Sequence, residues 1–185
     1  MVVLTEDEGK MAVRLARLTI EESIAGAPNP GLFLTLVFDE QRGVFVTLTK
    51  QGELRGCIGF PTPVYPLKEA IVKAAIAAAT EDPRFPIVKP AELNEISIEV
   101  TILTLPQPLT CPPEDRPDNI KIGRHGLIVS GKRRRGLLLP QVATEYGWNN
   151  VEFLDHACIK AGLPPGCWQK KDVEILTFEG QIFHE

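Results

Sequence analysis

The stretch EISIEVTILTL, residues 95–105, constrains the fold most, because apolar and polar residues alternate along it. Alternation with a period of two is typical of a β-strand that buries one face. The runs LFLTLVFD, GVFVTLTK and ELRGCIGF are also rich in strand-forming residues, and the turn signals DEQRG and KQGE separate them. Short connections of this kind predict a meander of antiparallel strands.

Three further segments predict helices. Residues 5–25 carry apolar residues at helical spacing, with Thr5 as N-cap before an acidic first turn. KEAIVKAAIAAAT has a narrow stripe of alanines and must end before Pro83, and VEFLDHACIKAGL is predicted as the third helix. Helices mixed with antiparallel strands, without regular βαβ alternation, predict an α+β fold built on antiparallel sheets and exclude a Rossmann or P-loop fold.

The charge of the chain does not favour a polyanionic partner. The formal net charge is −4, from 24 acidic and 20 basic residues. The only basic cluster, KRRR at 132–135, lies between GLIVS and GLLLP, two runs that predict a hairpin. A charged hairpin tip that protects strand edges is the favoured interpretation, and binding of an RNA backbone is the alternative. We therefore expect no nucleic-acid partner.

The chain shows no signal peptide and no apolar run near the roughly 20 residues of a membrane span. We therefore expect a cytoplasmic protein with no membrane partner and with reduced thiols. The cysteines form no C-x-x-C pair and have no histidine at ligand spacing, so no metal site is expected and no cofactor is indicated. They are Cys57, Cys111, Cys158 and Cys167.

The segment LRGCIG, residues 54–59, is the best candidate for chemistry. In an unbroken strand Arg55, Cys57 and Gly59 share one face, and a cation beside a thiol raises its nucleophilic fraction. Gly56 and Gly59 would let a ligand come close. In the alternative interpretation, Cys57 is a small buried hydrophobe and the glycines permit packing against the alanine-rich helix. Residue types alone slightly favour this structural alternative.

Other polar residues are candidates to surround this segment. Asp82 and Arg84 are predicted on a loop at the end of the second helix, either at a cleft or in a structural salt bridge. Asp82, or the face carrying Glu95 and Glu99, is a candidate partner for Arg55. Glu145 is predicted near a loop-to-helix junction that displays it toward a site. The three histidines, at 125, 156 and 184, are each interpreted as surface residues.

Six segments together resemble the AMMECR1 domain family over essentially the whole chain. They are GELRGCIGF, EDPRF, EISIEVTIL, GLLLPQVATEYGW, FLDHACIKAGL and FEGQIF. The resemblance implies one domain over residues 1–185 with two unequal lobes, the larger from both chain ends and the smaller from the middle. It places LRGCIG near the groove between them. It also implies an unsettled activity and possible partners, because related domains are joined to or neighbour MEMO-type and radical SAM proteins.

Two hypotheses of different classes follow. In the first, the protein is an intracellular enzyme or enzyme component that binds a small polar or anionic ligand in the interlobe groove. Arg55 would anchor the ligand and Cys57 would be the nucleophile or transient carrier, while Asp82, Arg84 and Glu145 shape the pocket. In the second, LRGCIG is structural and the protein is a non-catalytic partner of a MEMO-type or radical SAM protein.

Overall fold

The computed structural model describes residues 4–185, and the chain divides into two compact units. The larger unit comprises the chain up to Thr104 together with Gln181–Glu185, and the smaller unit is Leu105–Gly180. Each unit combines helices with antiparallel strands. The predicted α+β class with antiparallel sheets and two unequal lobes is confirmed.

The larger unit packs two long helices with three strands. The helices are α1 (Glu6–Ala25) and α2 (Leu67–Thr80), and the strands are β1 (Val44–Lys50), β2 (Glu53–Phe60) and β3 (Ile96–Leu103). β1 lies between β2 and β3 and is antiparallel to both. Every second residue of β1 is fully buried, namely Val44, Val46 and Leu48. This alternation directs one face of the sheet into the core of the unit.

The start of α1 shows how local sequence fixes an element. The hydroxyl of Thr5 accepts a hydrogen bond from the amide of Glu8 at 3.3 Å, and the carboxylate of Glu8 accepts one from the amide of Thr5 at 2.9 Å. This reciprocal capping box satisfies two amides that the first helical turn leaves without partners. The helix therefore begins where the sequence predicts it.

The strand predicted over LFLTLVFD is wrong. Residues 32–39 contain one short 3-10 helix, Leu36–Asp39, in which Phe38 is fully buried while Leu36 is exposed. Both edges of β1 are occupied by β2 and β3, so the preceding segment cannot pair with its neighbour in sequence. The segment packs on the core through Leu34, Val37 and Phe38 and does not extend the meander.

The smaller unit is built on a second group of strands with two helices. Its strands are β4 (Gln107–Pro108), β5 (His125–Gly131), β6 (Arg134–Leu138) and most of β7 (Glu174–His184), and its helices are α3 (Pro140–Glu145) and α4 (Asn150–Lys160). β5 pairs with β6 and β7, and β4 pairs with β7. In the basic cluster at 132–135, Lys132 and Arg133 form the tip between β5 and β6, and Arg134 and Arg135 begin β6. This is the hairpin that the sequence predicts.

A disulfide joins Cys158 of α4 to Cys167, so the expectation that all four thiols are reduced is wrong for this pair. The chain turns back after α4 at Gly162, which has a positive φ, and returns Cys167 to the side of the helix. The nine-residue separation of the two cysteines in the sequence does not predict that the chain brings them together. Cys57 and Cys111 are free thiols. In the part of the chain described here, no helix is long and apolar enough to cross a membrane.

Two glycines of LRGCIG allow close backbone packing in the larger unit. A Cβ on Gly56 would lie 2.2 Å from the carbonyl oxygen of Ala78 in α2. A Cβ on Gly59 would lie 2.3 Å from the carbonyl oxygen of Val44 in β1. Protein backbone fills both spaces, so packing against the neighbouring elements is sufficient to explain both glycines.

We expect Gly56→Ala to destabilise the protein by about 2 kcal/mol or more, because α2 must move away from β2 to admit the methyl group. Gly131→Ala is the matched control, since the nearest atoms to its Cβ would be side-chain carbons of Leu163 and Val173 at 3.3 Å. That variant should cost less than about 1 kcal/mol. Urea unfolding followed by circular dichroism measures both changes. Equal losses in the two variants would contradict the packing argument.

Candidate functional site

A β-bulge interrupts LRGCIG at Arg55. Thr49 pairs with Leu54 and Leu48 pairs with Gly56, so Arg55 has no partner residue on β1. The expectation of unbroken alternation through 54–59 is therefore wrong at this position. An extra residue in one strand reorients its side chain and disturbs the pattern of faces. Regular alternation predicts that Arg55 and Cys57 share one face of the sheet. The observed register does not support this prediction.

The guanidinium of Arg55 is bound by the protein itself. Its Nε and Nη2 each donate to the carboxylate of Glu92 at 3.1 Å, and its Nη1 donates to the carbonyl of Pro86 at 2.8 Å. The side chain is only 10% exposed. Arg55, together with the amide of Lys89, lowers the pKa of Glu92 to about 2. Because the side chain is buried and all three of its nitrogens donate to the protein, Arg55 is poorly suited to anchor a ligand.

The partner of Arg55 is thus Glu92, whereas Asp82, Glu95 and Glu99 were the candidates expected from sequence. Glu92 belongs to a 3-10 helix, Pro90–Glu95, that precedes β3. Nothing in its local pattern distinguishes it from the neighbouring glutamates, and only the fold brings it to the bulge.

The thiol of Cys57 lies on a row of polar side chains across the sheet. Its Sγ is 3.3 Å from Oγ1 of Thr47, and either atom can donate the hydrogen. Thr47 pairs with Cys57 on one side and with Glu99 on the other. The carboxylate of Glu99 lies 3.5 Å from Nδ1 of His184. Because neighbouring strands are about 4.8 Å apart, thiol, hydroxyl and carboxylate follow one another across three strands.

The carboxylate of Asp82 holds the backbone at Cys57. Oδ2 accepts from the amide of Cys57 at 2.8 Å and from Nη2 of Arg84 at 2.7 Å. Oδ1 accepts from the amide and from Nε of Arg84, at 3.1 and 3.0 Å. These bonds, led by the one from the Arg84 side chain, hold the pKa of Asp82 well below its usual range despite burial. The predicted loop residues Asp82 and Arg84 are therefore brought together with Cys57.

Arg84 is the more accessible cation at Cys57. Its Nη2 also donates to the carbonyl of Cys57 at 3.3 Å, yet its side chain is 54% exposed. Asp82 is the largest cause of the raised pKa of Arg84, and a negative charge on Cys57 contributes in the same direction. The guanidinium is thus bound by Asp82 and by the carbonyl of Cys57, while much of the side chain stays open to solvent.

Comparison with known proteins identifies the family. A sequence profile described as AMMECR1 matches residues 13–183. A protein of Methanothermobacter thermautotrophicus is 54% identical over 185 residues, with 98% of this chain and 96% of that protein covered. A protein of Pyrococcus furiosus is 49% identical over 192 residues, with coverage of 100% and 91%. The chain belongs to the AMMECR1 family.

The AMMECR1 fold is also supported by a solved structure. The crystal structure of an uncharacterised protein from Pyrococcus horikoshii matches with a TM-score of 0.85 and 48% identity, over 100% of this chain and 94% of that one. The resemblance inferred from LRGCIG and its companion segments is confirmed. These relatives carry no assigned activity, and the biochemical function of the AMMECR1 family is unsettled.

The remaining predicted residues lie elsewhere. Glu145 ends α3 in the smaller unit and is exposed, so its role in shaping a pocket stays a prediction. His125 lies at the start of β5, 3.7 Å from Glu179, and the ring of His156 stacks on Trp148 at 3.8 Å. Within residues 4–185 no group of three or more histidine, cysteine, aspartate or glutamate side chains is arranged to hold a metal ion.

Glu92 and Thr47 are two site residues of this AMMECR1 chain that the sequence patterns do not predict. Thr47 could be predicted in principle, because the KQGE turn sets the pairing of β1 with β2. Successive residue pairs run from Lys50 and Glu53 beside the turn to Thr47 and Cys57. The bulge adds one residue to this count, so correct pairing required knowing that Arg55 is skipped. Glu92 gave no comparable signal.

The Arg55–Glu92 pair should make the protein lose stability in acid. Because the pKa of Glu92 is lowered in the folded protein, its contribution exists above the unfolded pKa near 4.5 and disappears as pH falls toward 2. We expect a loss on the order of 2 kcal/mol from this group across that window. Glu92→Gln should be less stable at pH 7 and should lose less than the wild type on acidification. Urea unfolding at pH 7, 5, 4 and 3 measures this difference.

Glu95→Gln is the matched control, because Glu95 is half exposed and contacts Lys50 at 3.3 Å without a guanidinium partner. It should retain the acid sensitivity of the wild type. If Glu92→Gln shows the same pH profile as the wild type, the ion pair does not stabilise the fold as described.

Proposed function

We propose that the protein is an enzyme, or a component of one, that binds a small polar or anionic ligand at LRGCIG with Cys57 as the nucleophile. The observation that supports this proposal best is the free, half-buried thiol of Cys57 in a residue whose carbonyl accepts a hydrogen bond from the exposed guanidinium of Arg84. A thiolate is an intrinsic nucleophile, and a nearby cation attracts an anionic ligand.

In this proposal the two arginines of the site have different roles. Arg84 contacts the ligand, since it is accessible and Asp82 fixes only part of its guanidinium. Arg55 keeps β2 and the Pro90–Glu95 segment together through Glu92. This revises the expectation that Arg55 anchors the ligand. A buried bidentate pair would have to break for Arg55 to bind an anion, at a cost of several kcal/mol.

Thr47 and Asp82 position the thiol without reacting. The hydroxyl of Thr47 is within hydrogen-bond distance of Sγ, and Asp82 fixes the amide of Cys57 from the opposite side of the backbone. A nucleophile held by two neighbours has little freedom left to lose when the ligand binds. A cytoplasmic location is part of this proposal, because a reducing compartment favours a free thiol at Cys57.

Alkylation kinetics test this proposal. Iodoacetamide should modify Cys57 faster than it modifies the thiol of glutathione at the same pH, and peptide mass spectrometry follows each cysteine separately. Arg84→Gln should slow the modification of Cys57 about threefold to tenfold, because the cation beside the thiol is lost. Arg84→Lys keeps the charge and should recover part of the rate.

Arg14→Gln is the matched control, since Arg14 is an exposed arginine of α1. It should leave the rate unchanged, and circular dichroism confirms that every variant is folded. A Cys57 that reacts no faster than glutathione and is insensitive to Arg84→Gln would remove the nucleophile from the proposal.

A second candidate is a non-catalytic module that works with a MEMO-type or radical SAM protein. It is favoured by the structural roles of three residues of the motif: Arg55 is paired with Glu92, and backbone fills the spaces beside Gly56 and Gly59. Here Cys57 is a packing residue, and its hydrogen bond to Thr47 is its contribution.

Cys57→Ser separates the two candidates. Serine retains a hydrogen bond to Thr47 but is a much weaker nucleophile at neutral pH. A cell that depends on this protein should lose its growth or product formation with Cys57→Ser if the enzyme proposal is right. Full complementation by Cys57→Ser, at equal protein level on a blot, would favour the interaction module instead.

A further inference from the structure

A cavity of about 590 Å³ lies entirely within the smaller unit, away from the residues of LRGCIG in the sequence and in a different unit. Its polar lining consists of Thr110, Cys111, Glu114, Arg116 and Lys171. The first four come from the connection between β4 and β5, and Lys171 precedes β7. A free thiol and two cations therefore face one cavity.

Arg116 is the unusual member of this group. The residue is 6% exposed, and its Nη1 donates to the carbonyls of Trp168 and Lys170, the latter at 3.3 Å. Its Nε is buried and has no hydrogen-bond partner among the described residues. No carboxylate of the described chain contacts the guanidinium in the way that Glu92 contacts Arg55. The positive charge is therefore buried against neutral carbonyl groups.

A buried guanidinium without a counterion is costly. Burial lowers the pKa of Arg116, and a negative charge on Cys111 is the one electrostatic influence that acts in the opposite direction. Arginines buried in proteins are normally paired with carboxylates or phosphates. The missing counterion and the position of Arg116 in the lining of the cavity together indicate that something outside the protein completes this site.

We propose that this cavity binds a small ligand through an oxyanion group, a carboxylate or a phosphate. Arg116 and Lys171 supply two positive charges, and Glu114 is the single acidic residue of the lining. A guanidinium matches the two oxygens of an oxyanion, and Nη2 of Arg116 makes none of the hydrogen bonds of the described chain, so it can donate to the ligand. Cys111 and Thr110 then lie beside the remainder of the ligand. This site is independent of the one proposed at Cys57.

Nuclear magnetic resonance titration of the full chain tests this site with inorganic phosphate and with acetate as separate probes. The amide resonances of Thr110 and Cys111 should shift to saturation with at least one probe, and the tighter probe distinguishes a phosphate ligand from a carboxylate. Lys171→Gln should weaken binding about threefold, because one exposed cation is removed. Glu114→Gln should strengthen it by a similar factor, because it removes a like charge.

Lys170→Gln is the matched control, since it removes the same charge at the adjacent exposed residue, which does not line the cavity. It should bind as the wild type does. Arg116→Gln should abolish binding; if it does not fold, the Lys171 and Glu114 variants still decide. The proposal is overturned if neither probe saturates, or if Lys170→Gln weakens binding as much as Lys171→Gln does.

Discussion

The buried carboxylate of Asp82 is the interaction on which the LRGCIG region depends. Its side chain is 2% exposed, and it accepts hydrogen bonds from the amide of Cys57 and from three nitrogens of Arg84. Four donors replace the water that the carboxylate loses, so its charge can be buried. The same bonds join the end of α2 to β2. Asp82 therefore fixes the backbone at Cys57, while the thiol has its own contact with the hydroxyl of Thr47.

Two arginines near the same strand show how counterions divide structural from functional roles. Arg55 has a carboxylate and a carbonyl around its guanidinium, and its side chain is nearly buried. Arg84 shares its carboxylate with the amide of Cys57 and extends into solvent. A saturated, buried cation stabilises the fold, whereas a partly satisfied, exposed one is available to a ligand. In the proposed function, Arg84 therefore contacts the ligand, and the arginine inside the motif stabilises the fold.

The same reasoning distinguishes the cavity of the smaller unit. Arg116 is as buried as Arg55, but neutral carbonyls of Trp168 and Lys170 take the place of a carboxylate. Arg116 also lines a cavity to which a free thiol contributes, and no carboxylate of the described residues pairs with its guanidinium. Within one chain, the presence or absence of a protein carboxylate separates an arginine that completes the fold from one that awaits a ligand.

Local sequence determined those features whose causes lie within a few residues. Thr5 and Glu8 set the start of α1, Pro83 follows the end of α2, and alternating residues identify β3. The AMMECR1 family also follows from the sequence, because its motifs are specific. These features use hydrogen bonds and periodicities that span one turn of helix or one strand.

Tertiary structure alone decided where the charged and sulfur-containing groups meet. The bulge at Arg55, its pairing with Glu92 across 37 positions and the return of Cys167 to Cys158 each join segments that local patterns treat separately. LFLTLVFD has the composition of a strand, yet both edges of β1 are already occupied. A strand needs a free edge and an ion pair needs a partner within about 4 Å, and both are properties of the assembled chain.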